Sequence, residues 1–300
     1  MRVHLDKIPV TTIEAELPNG PAVAPGEKVP LVVTFTSSDG KTWVTEGNGH
    51  GKVLWSDLAV TPTLVTFKKG TLALRHDPRA SDGKIGHVEI TVPSHPDLHA
   101  SLDIPLRYDY PFQAKYAGVS GTSGTNGTDG TSGMDGSSGS MDPNNPSAGG
   151  DGTDGTDGSD GQNGGDGCNG PDVQIVVTVR PGDHPLLQAG VNATGHKERF
   201  YLIDPQGGSL TISSSGGAGG SGGRGGNGGR GGSGGIGTPN GSSGRNGSDG
   251  HNGMDGSDGR GGKIAVIYDP QVQPYLAAIR VSSPRGPVAT WEEQPVRPLW

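Results

Sequence analysis

Over residues 1–112 apolar and polar positions alternate in short segments, broken at regular intervals by turn signals. Leu31-Val32-Val33-Thr34-Phe35-Thr36 stops at Asp39-Gly40. Thr42-Trp43-Val44, Val53-Leu54-Trp55, Leu64-Val65-Thr66-Phe67, Thr71-Leu72-Ala73-Leu74, His87-Val88-Glu89-Ile90-Thr91-Val92 and Leu102-Asp103-Ile104-Pro105-Leu106 follow. A period of two in β-branched and aromatic residues predicts strands, and roughly seven or eight of them in about 110 residues predict an immunoglobulin-like β-sandwich. No helical period competes. Tyr108-Asp109-Tyr110-Pro111-Phe112 then reads as a rigid joint, because aromatics in such a connection are expected to be buried.

Beyond the joint the pattern changes. Glycine occupies every third residue in four runs of eight glycines, over 118–139, 149–170, 216–237 and 241–262. A period of three matches neither an α-helix nor a strand, but it matches the extended left-handed polyproline II helix. Each run then places its glycines on one edge and forms a rod on the order of 65 Å long, at ~3.1 Å per residue. Such a rod has no internal hydrogen bonds, so its N–H and C=O groups must bond sideways to a neighbour or to water. A glycine edge admits close neighbours and Cα–H···O contacts of about 0.5–1 kcal/mol each.

Runs one and two are joined by 140–148 (Ser-Met-Asp-Pro-Asn-Asn-Pro-Ser-Ala), and runs three and four by Thr238-Pro239-Asn240. Both inserts have turn composition, which predicts two rod hairpins with both turns at one far tip. The expected architecture is mainly β: the sandwich, then a bundle of four antiparallel polyglycine II helices rooted in a small β-sheet cap. Gly118, Gly149, Gly216, Gly217 and Gly241 begin its glycine edges. Collagen also needs glycine at every third position, but it needs proline too, and no run contains one. The opening Gly149-Gly150-Asp151-Gly152-Thr153-Asp154 fits a calcium-binding nonapeptide, but Thr156 stands where that repeat needs a large apolar residue. A flexible linker would show no register.

Each hairpin leads into an apolar strand, Val173-Gln174-Ile175-Val176-Val177-Thr178-Val179 and Lys263-Ile264-Ala265-Val266-Ile267-Tyr268. Each strand is followed by a Pro-x-Leu turn, Pro185-Leu186-Leu187 and Pro274-Tyr275-Leu276, which suggests a duplication of 118–191 in 216–281. With Arg199-Phe200-Tyr201-Leu202-Ile203 and Ser209-Leu210-Thr211-Ile212 these segments predict the cap (171–215 and 263–283) of a unit spanning 113–283. Run three is Gly-Gly-X and is expected to be the most buried. Run two carries the column Asp151, Asp154, Asp157, Asp160, Asn163, Asp166 and Asn169, expected as a solvated face or as partners of Arg224 and Arg230. Residues 284–300 are expected to form an extended Pro/Trp tail, with Trp291, Leu299 and Trp300 as candidates for self-association.

Only 29% of the chain is hydrophobic, so the apolar core must concentrate in the sandwich and the cap. The net charge of -8 argues against nucleic acid or an anionic membrane surface as partner. One cysteine, Cys168, excludes an internal disulfide framework. The start Met1-Arg2-Val3-His4-Leu5-Asp6 lacks the apolar stretch of a secretory signal, so export is expected by another route or after removal of a leader, and no segment is apolar enough to span a bilayer. His95 and His99 are kept from lining up as helical metal ligands by Pro96 and their β context, and no Ser/His/Asp arrangement or catalytic carboxylate pair stands out. No enzyme, cofactor or metal is expected.

The four runs, above all the Gly-Gly-X run 216–237, resemble the polyglycine II bundle proteins, which include the snow-flea antifreeze protein and the tail-fibre tip adhesins of T4-like phages. The resemblance covers the runs and not the sandwich. In the adhesins the tip loops contact the receptor. That implies contact roles here for Met141, Asp142, Asn144 and Asn145 in the first loop and Thr238 and Asn240 in the second. The antifreeze type implies a flat face, which Thr122, Thr125, Thr128 and Thr131 would supply. The leading expectation is a non-enzymatic, self-associating subunit of a surface appendage or extracellular fibre, with itself as partner. A tip adhesin for a cell-surface receptor or glycan is second and an ice-binding protein third, all at a cell or virion surface or outside the cell.

Overall fold

The computed structural model describes residues 3–182 and 184–300, so Met1 and Arg2 of the polar start lie outside the described residues. The alternating segments form nine strands: β1 (Val10–Glu16), β2 (Lys28–Pro30), β3 (Val32–Ser37), β4 (Thr42–Val44), β5 (Ala59–Thr63), β6 (Val65–Lys68), β7 (Thr71–Leu74), β8 (Gly86–Val92) and β9 (His95–Ile104). The period of two sets their faces; in β8 residues 86, 88, 90 and 92 are buried while their neighbours are not. All pairings are antiparallel, in sheets ordered β1-β3-β4, β2-β7-β6 and β5-β8-β9. The strands thus divide into three sheets, where a two-sheet sandwich was expected. One apolar cluster joins them, with Leu31, Phe35, Leu72, Ile90 and Ile104 fully buried.

Val53-Leu54-Trp55 is not a strand. Val53 makes only isolated bridges to Val3 and Thr45, and Trp55 opens a 3-10 turn. The indole explains the departure, since its Nε1 donates to Glu46 O at 3.2 Å and its ring meets Phe67 at 5.1 Å.

Eight further strands build the second core: β10 (Pro111–Ala117), β11 (Val173–Arg180), β12 (Leu186–Ala193), β13 (Arg199–Ile203), β14 (Ser209–Ser215), β15 (Ile264–Tyr268), β16 (Ile279–Ser282) and β17 (Thr290–Glu293). They form a parallel sheet β10-β14-β16 and a mixed sheet β13-β12-β11-β15-β17. Phe112, Tyr116, Leu210 and Ile212 of the first share one buried cluster with Ile175, Val191, Tyr201, Ile203 and Val266 of the second. The cap is therefore a two-sheet core and not the small sheet expected. The duplicated Pro-x-Leu segments also diverge. Leu186 pairs with Arg180 inside a hairpin, whereas Pro274 lies in a 3-10 segment, Pro270–Ala278, started by Asp269 accepting the Gln271 N–H at 3.0 Å.

The expected bundle of four antiparallel polyglycine II helices is corrected on two counts. First, none of the four runs is a helix. Strand, at 34% of the chain, is the dominant regular structure, and among the described residues only Pro270–Ala278 is a helical element of seven or more residues. No run bonds to itself; apart from bonds near the run ends, the backbone bonds cross to another run, as Gly121 N–H does to Ala218 O at 2.8 Å. Second, the directions are mixed. Runs one and two, two and three, and three and four are antiparallel, while one and three, and two and four, are parallel.

The sheets explain the parallel pairs. The β10–β14 ladder ends at Ala117↔Ser215, and the next bonds are Gly118 N–H to Ser215 O and Gly121 N–H to Ala218 O, continuing to Gly139 N–H on Ile236 O. β11 and β15 begin at Val173↔Ile264, and runs two and four approach that pair already bonded, from Gly152 N–H on Ser242 O to Gly170 N–H on Arg260 O. Each parallel pair of runs is an extension of a parallel strand pair, in the same register. Two inner runs, two and three, each bond to three others; runs one and four each bond to two.

Candidate functional surface

The innermost column is the second glycine of each run-three triplet, residues 217, 220, 223, 226, 229, 232 and 235, all buried. Their N–H groups donate to run two at 2.8–2.9 Å, as Gly226 does to Ser159 O. There is no room for a side chain: a Cβ on Gly226 would stand 2.0 Å from Thr128 O. The five glycines singled out as structural lie in the same kind of contact. A Cβ would come within 2.2 Å of Cys168 O at Gly118, 2.0 Å of Gly235 O at Gly149, 2.1 Å of Gly259 O at Gly216, 2.1 Å of Val119 O at Gly217 and 2.0 Å of Gly150 O at Gly241. Gly150 and Gly165 differ, because their nearest neighbours are side-chain hydroxyls, Ser137 Oγ at 2.9 Å and Thr122 Oγ1 at 3.2 Å.

Backbone acceptors do not serve every N–H group of the runs, and side chains serve many of the rest. Asp151, Asp154, Asp157, Asp160, Asn163, Asp166 and Asn169 each accept, through Oδ1, one run-four backbone N–H at 2.6–2.8 Å. Asn246, Asp249, Asn252, Asp255 and Asp258 do the same for run three at 2.8–2.9 Å. Asn126, Asp129 and Asp135 serve the opposite edge of run three. Hydroxyls fill the remaining seam, Thr156 Oγ1 accepting from Thr131 N and Ser159 Oγ from Thr128 N, both at 2.7 Å.

The acidic column is exposed, as a solvated face would be, but it also bonds, and among the described residues it forms no ion pair with Arg224 or Arg230. Its oxygens hold run four against run two. The sequence carried a signal for this, since the residue before every run glycine after the first is Ser, Asn or Asp in runs one and two, as it is before each in run four as far as Asp258. Short acceptors there reach a neighbouring backbone, whereas long side chains would not. The bonds also act on the carboxyls. Asp160 is held below the usual 3.8 by the His251 N–H and then the His251 ring, and Asp258 by the Gly219 N–H and then Arg285.

At the far end the two loops meet. Thr238 N–H donates to Ser147 O and Gly149 N–H to Pro239 O, both at 2.9 Å. Within the first loop, Asp142 Oδ1 accepts the Asn144 N–H, and in the second Asn240 Oδ1 accepts the Gly237 N–H, both at 2.9 Å. Met141, Asp142, Asn144, Asn145, Thr238 and Asn240 are all exposed on this one surface. Met141 (67% exposed), Met134 (78%) and Ile236 (58%) add apolar groups at the same end.

The tail packs back on its own chain. Trp291 lies in β17 opposite Val266 and meets Tyr268 edge-on. Leu299 N–H donates to Gln188 Oε1 at 2.9 Å, and Gln188 Nε2 donates to Trp300 O at 3.1 Å. Gln188 is fully buried, so its amide needs both partners. Trp300 Nε1 donates to Asp82 Oδ2 at 3.2 Å, Asp82 also receives the Arg180 guanidinium, and the Trp300 ring stands edge-on to Phe200. The last residues therefore strap the first core to the second.

A cleft of about 350 Å³ between the cores is lined by His76, Asp77, Gln113, Glu198, Arg199, Phe200 and Tyr201. Among the described residues no three His, Cys, Asp or Glu side chains could share a metal ion. Cys168 is free and exposed. No protein-family model matches the chain, nor does any curated protein or solved structure. The resemblance to the polyglycine II bundle proteins rests on its residues alone.

Proposed function

We propose that the protein is a non-enzymatic display module: a rigid stalk that holds an apical loop surface away from a two-core base, for contact with a receptor or glycan at a cell or virion surface. The observation that carries this reading is the dense cross-bonding of the stalk. In run two, two N–H groups of most triplets bond across to other runs, as do both glycine N–H groups of most run-three triplets, while the outer columns of runs one, two and four bear side chains. A stalk cross-bonded along its whole length transmits position to its tip. Met141, Asp142, Asn144, Asn145, Thr238 and Asn240, with Met134 and Ile236, are the contact residues in this reading; mixed polar and apolar groups on a small protrusion suit a concave partner.

The test replaces 140–148 and 238–240 by Gly/Ser segments of equal length and measures adhesion of the labelled protein to candidate cells and to immobilised glycans. Binding that disappears while the melting profile is retained supports the reading; undiminished binding overturns it. A fibre subunit is the second reading. It is favoured by one observation, the exposed edge strand β17 with Trp291 41% exposed. Concentration-dependent mass in light scattering, abolished by Trp291→Ala, would favour that reading.

A further inference from the structure

Nine Asn-Gly pairs occur in this chain, the dipeptide most prone to spontaneous loss of ammonia because glycine leaves the following nitrogen unshielded. The reaction needs that nitrogen free. In seven pairs, those of the runs and the 238–240 turn, it is bonded across the stalk. Gly127 N–H is held by Arg224 O, Gly164 by Met254 O and Gly253 by Gly223 O, at 2.7–2.8 Å, and Gly228 by Asp249 Oδ1 at 2.8 Å. Most of these asparagines are pinned at the side chain as well, Oδ1 accepting a neighbouring N–H in Asn126, Asn163 and Asn252. The eighth pair, Asn19-Gly20, has its Gly20 N–H on Leu17 O at 3.1 Å.

The ninth differs. Asn48 is exposed at the centre of Gly47-Asn48-Gly49-His50-Gly51, and the Gly49 N–H has no acceptor among the described residues. The 3-10 turn aims this N–H at Glu46 O, but that carbonyl accepts the Trp55 Nε1–H at 3.2 Å, and no bond of ordinary geometry holds the Gly49 nitrogen. We infer that Asn48 is a site of spontaneous deamidation, and that the stalk asparagines are locked against the same reaction by the bonds that build the stalk. The Gly49 nitrogen gives its proton to solvent base and attacks Asn48 Cγ. A Cγ–N bond forms, the Cγ–Nδ2 bond breaks, and ammonia leaves with a proton from water. Water then opens the five-membered imide at either carbonyl, giving an aspartyl or isoaspartyl residue at position 48. The loop gains a negative charge and, in the isoaspartyl form, an extra backbone atom where Gly51 passes against Val44 O.

The test incubates the folded full-length protein at mildly alkaline pH and follows each Asn-Gly peptide by mass spectrometry, with isoaspartyl-specific labelling. The Asn48 peptide is expected to convert, and the stalk peptides to convert at least about tenfold more slowly, since each must first break several bonds locally. In urea that unfolds the chain the difference should collapse, and Asn48→Gln should remove the folded-state signal. Stalk asparagines converting as fast as Asn48 in the folded chain, or an unreactive Asn48, would overturn the inference.

Discussion

Replacing Gly226 by alanine tests whether the stalk is held by close approach of backbones. The new Cβ would lie 2.0 Å from Thr128 O, 2.4 Å from its carbonyl carbon and 2.9 Å from Asp129 N. Ordinary contact begins near 3.4 Å, so runs one and three must part locally by about 1.4 Å. Backbone cannot turn aside as a side chain can. The bonds at stake are Gly127 N–H to Arg224 O and Gly130 N–H to Asn227 O, both 2.7 Å, and Asn227 N–H to Asp129 Oδ1. Two or three such bonds, at about 0.5–1.5 kcal/mol each plus the cost of buried groups left unpaired, come to roughly 3–5 kcal/mol. Alanine's lower entropy in the unfolded chain offsets at most about 1 kcal/mol. The control is Gly165→Ala, identical in chemistry but with its nearest atoms, Thr122 Oγ1 at 3.2 Å and Thr122 N at 3.3 Å, within a few tenths of an ångström of ordinary contact. It is expected to change stability by less than about 1 kcal/mol in either direction. With two separate cores in the chain, urea unfolding should be read with hydrogen exchange over 118–139 and 216–237, so that stalk opening is seen on its own. Equal stability and equal stalk protection in the two variants would refute the close-approach account.

Asp157→Ala removes the acceptor of the Ser248 N–H and should cost about 0.5–1.5 kcal/mol, while Asp157→Asn should be nearly neutral, since an amide oxygen bonds as Asn163 and Asn169 do; urea midpoints and exchange at Ser248 check both. Asp160 and Asp258 have folded values below 3.8, so the stability they contribute is complete above 3.8 and is lost as pH falls through those lower values; melting between pH 6 and 2 should show the loss, and Asp160→Asn should make it shallower. Tyr108 is pushed up to about 12, by burial first and then by the Asp82 charge, so its contribution is present below pH 10 and is lost between there and about 12, which absorbance titration of the phenolate will follow. Trp300→Ala removes the bond to Asp82 and the edge-on contact with Phe200; limited proteolysis should cut between the cores faster, with molecular mass unchanged.

Legibility varied along the chain for physical reasons. Alternation in 86–92 announced β8 because one face must be dry, but alternation does not say which strands share a sheet, and the first unit has three sheets where two were expected. Val53-Leu54-Trp55 carried the apolar signal of a strand, and a single indole contact overrode it. In the stalk the acidic columns were visible and their purpose was not. A short acceptor before each glycine is a local fact, whereas the N–H it serves lies 91 residues away in the pair Asp157 and Ser248.

The chain alone determined where side chains are forbidden, because glycine at every third position is a constraint that no other residue meets. It also marked the two turns, through Pro143, Pro146 and Pro239, and the apolar strands that root the runs. The register already sets Gly165 apart, off the glycine column of run two in a position where other triplets carry Thr156, Ser159 or Cys168, but only the tertiary structure showed what lies opposite it and opposite Gly226. It also decided that runs one and three, and two and four, lie parallel. Direction and register are inherited from strand pairs at 117↔215 and 173↔264, and such pairings join residues too distant in sequence for any local pattern to specify. The tail was settled the same way: a buried glutamine amide on β12 required two backbone partners, and Leu299 and Trp300 supply them.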